Sequence, residues 1–356
     1  MATEMKPATE IVPLQSNYWE LYPRREEIAL GAVQQVSEGL GVRLSLRTSV
    51  KDFSHYVFSQ NGEASQESRD GEVTVRFRRL GEAKGQQITT EVRAVSVSGE
   101  RTKPHRITIG YYPTELYAAS GQTAPNWVIV QNTDLSLSRS VVEDWIVDAP
   151  TEADRAYAER QWGELIKGCA FEHEKAQALA RAIMTALKPH AGIPSDAMRA
   201  APPFEQYERA VSGQDRVWCG NHAIIFSGAC NALGVPARRI GMNHPYGSDG
   251  DHNLLLAEGH STTEIFDETL NRWVWVDLTF NILGVYLADQ DPINMAELVQ
   301  FLNDGSRVRA LSIVEFDPIS GAEKRVPATE SGKKASLFHY FKRDQQFRYT
   351  RRAQGV

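Results

Sequence analysis

Residues 218–241 read WCGNHAIIFSGACNALGVPARRIG, and this stretch decides the fold of the C-terminal part of the chain. An apolar run stops at Gly234, with Pro236 just beyond, which is the pattern of a buried helix that ends at a glycine. The sequence therefore predicts a helix that begins at or near Cys219. At a helix start, unpaired N–H groups and the positive end of the dipole favour a thiolate, and these N–H groups can also bind an oxyanion.

The chain has three cysteines, Cys169, Cys219 and Cys230. A free cysteine is most often a small buried hydrophobe. We assign Cys230 to that role because it lies within the apolar run, and Cys169 because it lies between two predicted helices. Cys219 differs from both because suitable histidine and aspartate partners follow it in the chain.

Two predicted strands supply these partners. Residues 260–266 read HSTTEIF and residues 272–277 read RWVWVD, with the turn sequence DETLN between them. An antiparallel hairpin brings the start of its first strand beside the end of its second, so we expect His260 and Asp277 to lie together. A carboxylate that holds one imidazole nitrogen leaves the other to exchange a proton with a thiol. Cys219, His260 and Asp277 are therefore the predicted catalytic residues.

These segments resemble the core of the transglutaminase-like superfamily. That family places a cysteine at a helix start, ends the helix in a Leu-Gly-x-Pro-Ala-Arg turn, and continues with a His-x-x-x-Glu-Val-aromatic strand and a Trp-x-x-x-Asp strand. The matching residues are Cys219, the LGVPAR of 233–238, His260 with Glu264, and Trp273 with Asp277. The Cys-Gly pair is also similar to peptide N-glycanases of the same superfamily. The resemblance covers residues 213–281.

The resemblance implies a papain-like α+β domain in which Cys219 attacks an amide or ester carbonyl and His260 protonates the leaving group. Two positions depart from the family pattern. Trp218 stands where a small residue usually precedes the nucleophile, and Thr262 stands where an aromatic often follows the histidine. Both positions lie where an acyl substrate would pass, so the resemblance does not imply a particular substrate beyond peptides, proteins or other amide-bearing molecules.

The fate of the acyl-enzyme separates the candidate functions. Attack by water makes the protein a protease or amidase, whereas attack by an amine makes it a transglutaminase-type acyltransferase, a crosslinker or a biosynthetic amide-forming enzyme. We prefer hydrolysis, because residues 241–259 are polar and glycine-rich and favour a hydrated rim over a closed apolar amine tunnel. Trp218, Trp273 and Trp275 are the residues from which such a tunnel would be built. A non-enzymatic module that binds peptides or glycans is the alternative from a different class.

Three neighbours of the predicted catalytic residues are candidates for binding the acyl group. The second oxyanion donor is either the Gln214 amide or the Trp218 indole, a choice that the sequence leaves open. His222 lies one helical turn from Cys219, and we interpret it as a structural or substrate-contacting residue.

Two strand residues and one loop residue complete the set of candidates. Glu264 is expected to orient neighbouring backbone or a substrate amine, and Trp273 either walls the substrate site or belongs to the core. His252 follows an acidic, glycine-rich loop, but that loop lacks the ligand order of an EF-hand. We therefore predict no metal site and no cofactor.

Length and composition limit the remaining possibilities. The chain has 356 residues, of which 42% are hydrophobic and 24% charged, with a formal net charge of -6, so it is a packed protein and a poor binder of nucleic acid. The basic tail at 342–352 is interpreted as a solvated terminal segment. No apolar stretch approaches the roughly 20 residues that span a bilayer. The N-terminus lacks a signal peptide, so the protein is cytoplasmic or its sequence begins after a removed signal; oligomeric state is left open.

The N-terminal part has a different texture. From Val42 to Tyr112 apolar and polar residues alternate in short runs broken by turn residues, which predicts an antiparallel β-sandwich. After Pro150 a Thr-Glu-Ala-Asp capping box opens helical patterning. The predicted fold class is therefore α+β, with an accessory β-sandwich at 1–145 and a papain-like or transglutaminase-like catalytic domain at 146–356.

Overall fold

The computed structural model describes residues 7–13, 21–25, 28–78, 85–118, 121, 127–136, 140–244, 258–288, 290–341 and 346–352. They form two compact units. One is Trp19–Val142, and the other joins the N-terminal segment to Glu143–Val356. Antiparallel sheets occur in both units and the longer helices in the second, so the predicted α+β class is confirmed. Over these ranges no helix has the length and apolar character that crossing a membrane requires.

The elements are numbered in chain order. The strands are β1 (Pro7–Pro13), β2 (Ile28–Gln35), β3 (Gly41–Thr48), β4 (Phe53–Gln60), β5 (Gln66–Ser68), β6 (Glu72–Arg76), β7 (Gln86–Ser96), β8 (His105–Tyr112), β9 (Trp127–Thr133), β10 (Ala237–His244), β11 (Glu258–Asp267), β12 (Arg272–Val276), β13 (Ile282–Leu287), β14 (Leu311–Phe316), β15 (Glu323–Pro327) and β16 (Gln346–Arg352). The helices are α1 (Glu115–Ala118), α2 (Glu152–Ile166), α3 (Glu172–Leu187), α4 (Asp196–Ala200), α5 (Pro203–Val211), α6 (Cys219–Ala232), α7 (Met295–Leu302) and α8 (Lys334–Tyr340).

The unit Trp19–Val142 is an antiparallel β-sandwich, as predicted. One sheet has the order β2-β3-β6 and the other the order β5-β4-β7-β8-β9. Both sheets turn alternate apolar side chains into one core, and fully buried members of it are Leu44, Val73, Val92 and Ile107. The alternation of the sequence thus corresponds to the two faces of each strand.

Strand β1 belongs to the other unit. It pairs antiparallel with β16 along its whole length, from Pro7 opposite Arg352 to Pro13 opposite Gln346. The predicted boundary at 145/146 assigned this segment to the sandwich, because an apolar pattern does not reveal which sheet a strand joins. The contacts divide the chain between Val142 and Glu143. Whether the two units fold independently stays a prediction.

The second unit has helices packed on an antiparallel sheet of order β1-β16-β10-β11-β12. Helix α6 contacts β10 and β11 on one side and α5 on the other. A single core joins these layers, with Leu179 of α3, Phe226 of α6, Ile265 of β11 and Val274 of β12 at zero exposure. A smaller sheet of order β13-β14-β15 follows β12 in the chain. Because α6 is apolar on nearly all sides, it lies in the middle of this unit.

Helix α6 begins at Cys219 and ends at Ala232, so both predicted ends are confirmed. Gly234 adopts a φ of +81°, and the N–H of Val235 donates to the Cys230 carbonyl over 2.9 Å, which satisfies the free carbonyls of the last turn. The Asn231 side chain accepts from the Ala237 N–H over 2.7 Å and donates to its carbonyl over 3.1 Å. These bonds fix the exit of the chain into β10.

Strands β11 and β12 form the predicted hairpin, with Asn271 at a φ of +50° in its turn. A second tight turn follows at once, since Asp277 and Ile282 exchange two backbone hydrogen bonds of 3.0 and 2.8 Å. Asp277 therefore occupies the first position of a short turn between β12 and β13, and its backbone has no freedom to move away from the sheet.

A buried ion pair joins β10 to β11. The Arg238 guanidinium donates two hydrogen bonds to Glu264 Oε2, of 3.0 and 2.8 Å, and Glu264 Oε1 accepts from the Met295 N–H over 2.7 Å. The guanidinium also lies 3.9 Å from the ring centre of Trp273 and 4.8 Å from that of Trp145. Both charges are shielded from water, so their mutual contacts are what make their burial tolerable.

Candidate active site

Cys219 is the first residue of α6, and the extended Trp218 precedes it as the N-cap. The Trp218 N–H donates to the Asn221 side-chain oxygen over 3.2 Å, and the Asn221 amide donates to Gln206 over 2.8 Å. These bonds tie the helix start to α5. The first-turn N–H groups of a helix have no intrahelical carbonyl partner, so they are available next to the partly exposed Cys219 thiol.

Asp277 holds the imidazole of His260. Its Oδ2 lies 2.6 Å from His260 Nε2, and its Oδ1 accepts from the Phe280 N–H over 3.0 Å. The carboxylate is 1% exposed. Because both oxygens are engaged from opposite sides, the carboxylate cannot rotate, and Nε2 of His260 is fixed as the nitrogen that points at Asp277.

The remaining ring nitrogen of His260 is left for the cysteine. The sulfur of Cys219 accepts hydrogen bonds from the His260 ring and from the Ser261 backbone N–H. The His260 ring stacks on Phe280, with centroids 4.4 Å apart, and contacts Tyr340 at 5.0 Å. The imidazole is therefore bonded to both Asp277 and Cys219 and packed against two aromatic rings, and the three residues form one continuous chain of hydrogen bonds.

Electrostatics favour an ion pair between the thiol and the imidazole. Burial by itself raises the pKa of the Cys219 thiol, but the hydrogen bond and the charge of His260, with the Ser261 N–H, outweigh it and lower that pKa below its usual value. Burial lowers the pKa of His260, but the charge and hydrogen bond of Asp277 and the contact with Cys219 reverse this and raise it to about 9. A thiolate beside an imidazolium is a strong nucleophile beside a proton donor.

The thiol and the imidazole open into a cleft with a volume of about 420 Å³. Its walls are mostly apolar, and Lys188, His222, Thr279, Asn281 and Tyr340 add polar groups. The loop after α3 and the turn between β12 and β13 supply about half of the lining. A molecule with an apolar body and a reactive carbonyl fits such a site.

The structure brings two of the three further candidate acyl-binding residues to the cleft. Trp218 lines it and is 43% exposed, with the Arg199 guanidinium 4.8 Å from its ring centre. His222 also lines it, one turn along α6 from Cys219. Gln214 is exposed in the turn before α6 and is absent from the described residues that line the cleft, so it is not positioned as an oxyanion donor.

Glu264 and Trp273, two candidate substrate-binding residues, lie in the core instead. Glu264 is fully buried against Arg238, and Trp273 is 1% exposed. Trp275 is fully buried as well and packs edge-on against Phe341. None of the three is among the described cleft residues. Strand alternation alone does not explain why the Glu264 carboxylate is buried. The carboxylate is held in the core by its ion pair with Arg238 of the neighbouring strand β10.

The structure also identifies residues that the sequence did not. Phe280 donates its N–H to Asp277 and stacks on His260, and Tyr340 reaches the same ring from α8. An aspartate side chain often accepts a hydrogen bond from the backbone N–H three residues later in a turn. The contact between Asp277 and the Phe280 N–H could therefore have been predicted from the sequence. No such local pattern predicts the contact of Tyr340. His252 lies outside the described residues, and no cluster of three metal-ligating side chains occurs within the described ranges.

Comparison with known proteins adds little to this site. No family model matches the chain, and no curated protein sequence matches it either. Among matching solved structures is the crystal structure of red sea bream transglutaminase, at 12% identity and a TM-score of 0.26, with 94% of this chain and 67% of that chain covered. A likeness this distant carries no functional argument, so function has to be argued from the site.

Proposed function

We propose that the protein is a thiol-dependent enzyme of the transglutaminase-like kind that forms an acyl-enzyme on Cys219. The observation that carries this proposal is the chain of hydrogen bonds from Asp277 through His260 to Cys219, at a helix start and inside a cleft. Each member has the environment that its role needs. The pKa of the thiol is lowered, the pKa of the imidazole is raised, and the carboxylate is buried with a hydrogen bond at each oxygen.

The steps follow from these positions. The Cys219 thiolate adds to the carbonyl carbon of an amide or ester, and the carbonyl electron pair moves to the oxygen, beside the first-turn N–H groups of α6. The pair returns, the bond to the leaving group breaks, and His260 gives that group its proton. Water then attacks the thioester while His260 takes its proton, and the thiol leaves with regeneration of the enzyme. Asp277 keeps the imidazole oriented throughout.

Hydrolysis, rather than amine transfer, is the outcome that we propose. A transferase has to hold an amine in attack geometry and exclude water, which takes a closed apolar entrance. Trp273 and Trp275 are buried in the core and do not supply one, and Trp218 is 43% exposed to solvent. The glycine-rich rim on which the sequence argument rested falls mostly at 245–257, outside the described residues. The substrate class is an amide- or ester-bearing molecule with an apolar acyl group.

Two experiments test these proposals. The first measures the rate of iodoacetamide alkylation at each cysteine against pH by peptide mass spectrometry. Cys219 should react fastest and already below the usual thiol pKa, and His260→Ala should move its reaction to higher pH. Cys230 is the internal control, because its full burial raises its pKa well above the usual range. Faster alkylation of Cys169 or Cys230 than of Cys219 would contradict the assignment of Cys219 as the nucleophile.

The second experiment measures partitioning. An acyl donor such as p-nitrophenyl acetate is offered with rising concentrations of a lysine analogue, and acid and amide products are quantified by mass. The acid should predominate at millimolar amine. A predominant amide would replace the hydrolase proposal by an acyltransferase and leave the roles of Cys219, His260 and Asp277 in place.

A further inference from the structure

His222 lies beside the nucleophile by the geometry of its helix. It is three residues along α6 from Cys219, and helical side chains at that spacing share a face. Side chains in a helix also slant toward its N-terminus, so a residue covers the turn that precedes it. The imidazole of His222 therefore lies over the turn that holds the Cys219 thiol, and both residues line the same cleft.

The His222 ring is held and uncharged. Its Nδ1 lies 3.4 Å from the Thr279 hydroxyl, on the turn that follows Asp277. Burial lowers the pKa of His222 to about 4, and the positive charges of His260 and Lys188 add to this while Asp277 opposes it. At neutral pH the ring is therefore neutral. Its one N–H can donate a hydrogen bond, and the ring does not act as an acid.

We propose that His222 is the second oxyanion donor, which donates from Nε2–H to the oxygen of the carbonyl that Cys219 attacks. In this arrangement the Thr279 hydroxyl donates to Nδ1, which fixes the tautomer with its proton on Nε2. The inference rests on the proposed acyl-enzyme function and deepens it. His222 donates a hydrogen bond as the electron pair moves onto the oxygen and transfers no proton, since His260 protonates the leaving group.

The two donors considered from the sequence are less well placed. Gln214 is exposed and is not among the described cleft residues. Trp218 lines the cleft, but with 43% exposure its indole competes with water for any acceptor. A donor that is held in a less hydrated position interacts more strongly with a developing charge. His222 meets that condition because it is half-buried and tied to Thr279.

The test compares two reactions of the same thiol. Acetylation by p-nitrophenyl acetate passes through an oxyanion, whereas alkylation by iodoacetamide displaces iodide and forms none. His222→Ala should lower the acetylation rate constant by about 10²- to 10³-fold and leave the alkylation rate constant unchanged. Unchanged alkylation also shows that the variant is folded, because the activated thiol exists only in the folded site. His222→Gln, which keeps an N–H donor, should recover part of the loss.

Two further variants complete the design. Thr279→Val removes the hydroxyl that fixes the tautomer and should reduce acetylation by less than His222→Ala does. Trp218→Phe removes the indole N–H, and it too should lower the acetylation rate constant by less than His222→Ala does. The inference is overturned if His222→Ala acetylates at the wild-type rate, if it loses alkylation in parallel, or if Trp218→Phe is the more damaging change. Wild-type protein that alkylates at Cys219 but is never acetylated would overturn the acyl-enzyme function itself.

Discussion

The charge on Asp277 favours the ion pair of a His260 imidazolium and a Cys219 thiolate. Its carboxylate is buried, bonded on both oxygens and in contact with His260 at 2.6 Å. Burial alone would leave the imidazole neutral, so the ion pair with Cys219 depends on this single charge. An amide in its place would keep the shape of the residue and remove the charge.

Asp277→Asn should therefore narrow the pH range of activity. His260 has its pKa raised to about 9, so wild-type cleavage of an amide substrate should decline as pH rises through about 9, where the imidazolium loses the proton that it gives to the leaving amine. Without the carboxylate charge this alkaline limb should move to lower pH, and the rate at the optimum should fall by about 10²- to 10⁴-fold. A pH profile of the hydrolysis of an acyl p-nitroanilide measures both, because its amine leaves only with a proton, and a variant with an unmoved alkaline limb would contradict the role of Asp277.

The buried pair of Arg238 and Glu264 supports the sheet next to this site. Glu264→Gln leaves the guanidinium without its carboxylate and should lower the free energy of unfolding by about 3–5 kcal/mol. Asp148→Asn is the matched control, because it breaks the solvent-exposed pair that Asp148 makes with the adjacent Arg239 and should cost about 0–1 kcal/mol. Urea denaturation compares the two, and equal losses would show that burial of the first pair does not matter.

The sequence predicts the positions of the three proposed catalytic residues because each follows from a local rule. The apolar run that ends at the glycine stop indicates a helix that begins at or near Cys219, and a hairpin turn brings the ends of two strands together at His260 and Asp277. The roles of Glu264 and Trp273 depend instead on Arg238, whose strand reaches them only through sheet pairing. The sequence pattern of one strand does not predict which side chain of a neighbouring strand will contact it.

At the scale of elements, α6 depends on the glycine that ends it. Gly234 adopts a φ of +81°, and a Cβ built on it meets no atom within 4 Å, so only backbone strain opposes a side chain there. Gly234→Ala should lower the free energy of unfolding by about 1–2 kcal/mol. Gly305→Ala is the control, because that position is equally open and is not in the left-handed region. Equal urea midpoints for the two variants would contradict the role of Gly234 as the helix stop.

Strand β1 shows where prediction of elements from sequence ends. The alternation that predicts strands runs from Val42 to Tyr112 and does not include residues 7–13, and β1 joins the sheet of the second unit through β16, more than 300 residues along the chain. Pairing over such a separation is decided by the packing of the finished sheet. The predicted boundary placed residues 7–13 with the sandwich, whereas their contacts group them with Glu143–Val356.

At the scale of the whole molecule, the sandwich has a core of its own. The buried residues from Ile28 to Leu135 pack with one another and make one cluster. A fragment of residues 19–142 should therefore fold alone and unfold in a single cooperative urea transition, followed by circular dichroism. A broad, non-cooperative transition would mean that the sandwich depends on the rest of the chain.

The catalytic unit should tolerate truncation less well. A fragment that starts near Pro150 lacks β1 and also Trp145, which is 1% exposed and lies over the Arg238 guanidinium. Removal of residues 1–142 therefore takes away an edge strand as well as the accessory domain. This asymmetry between the two units follows from the positions of β1 and Trp145.

The most direct measurement is the mass of the protein after brief exposure to p-nitrophenyl acetate at neutral pH, followed by acid quenching and peptide mapping. Wild-type protein should carry one acetyl group on Cys219, and the adduct should disappear with time as water releases acetate. Cys219→Ala should carry none, whereas Cys169→Ala and Cys230→Ala should behave as wild type. An acetyl group that forms at another residue, or p-nitrophenol release that Cys219→Ala leaves unchanged, would contradict an acyl-enzyme on Cys219.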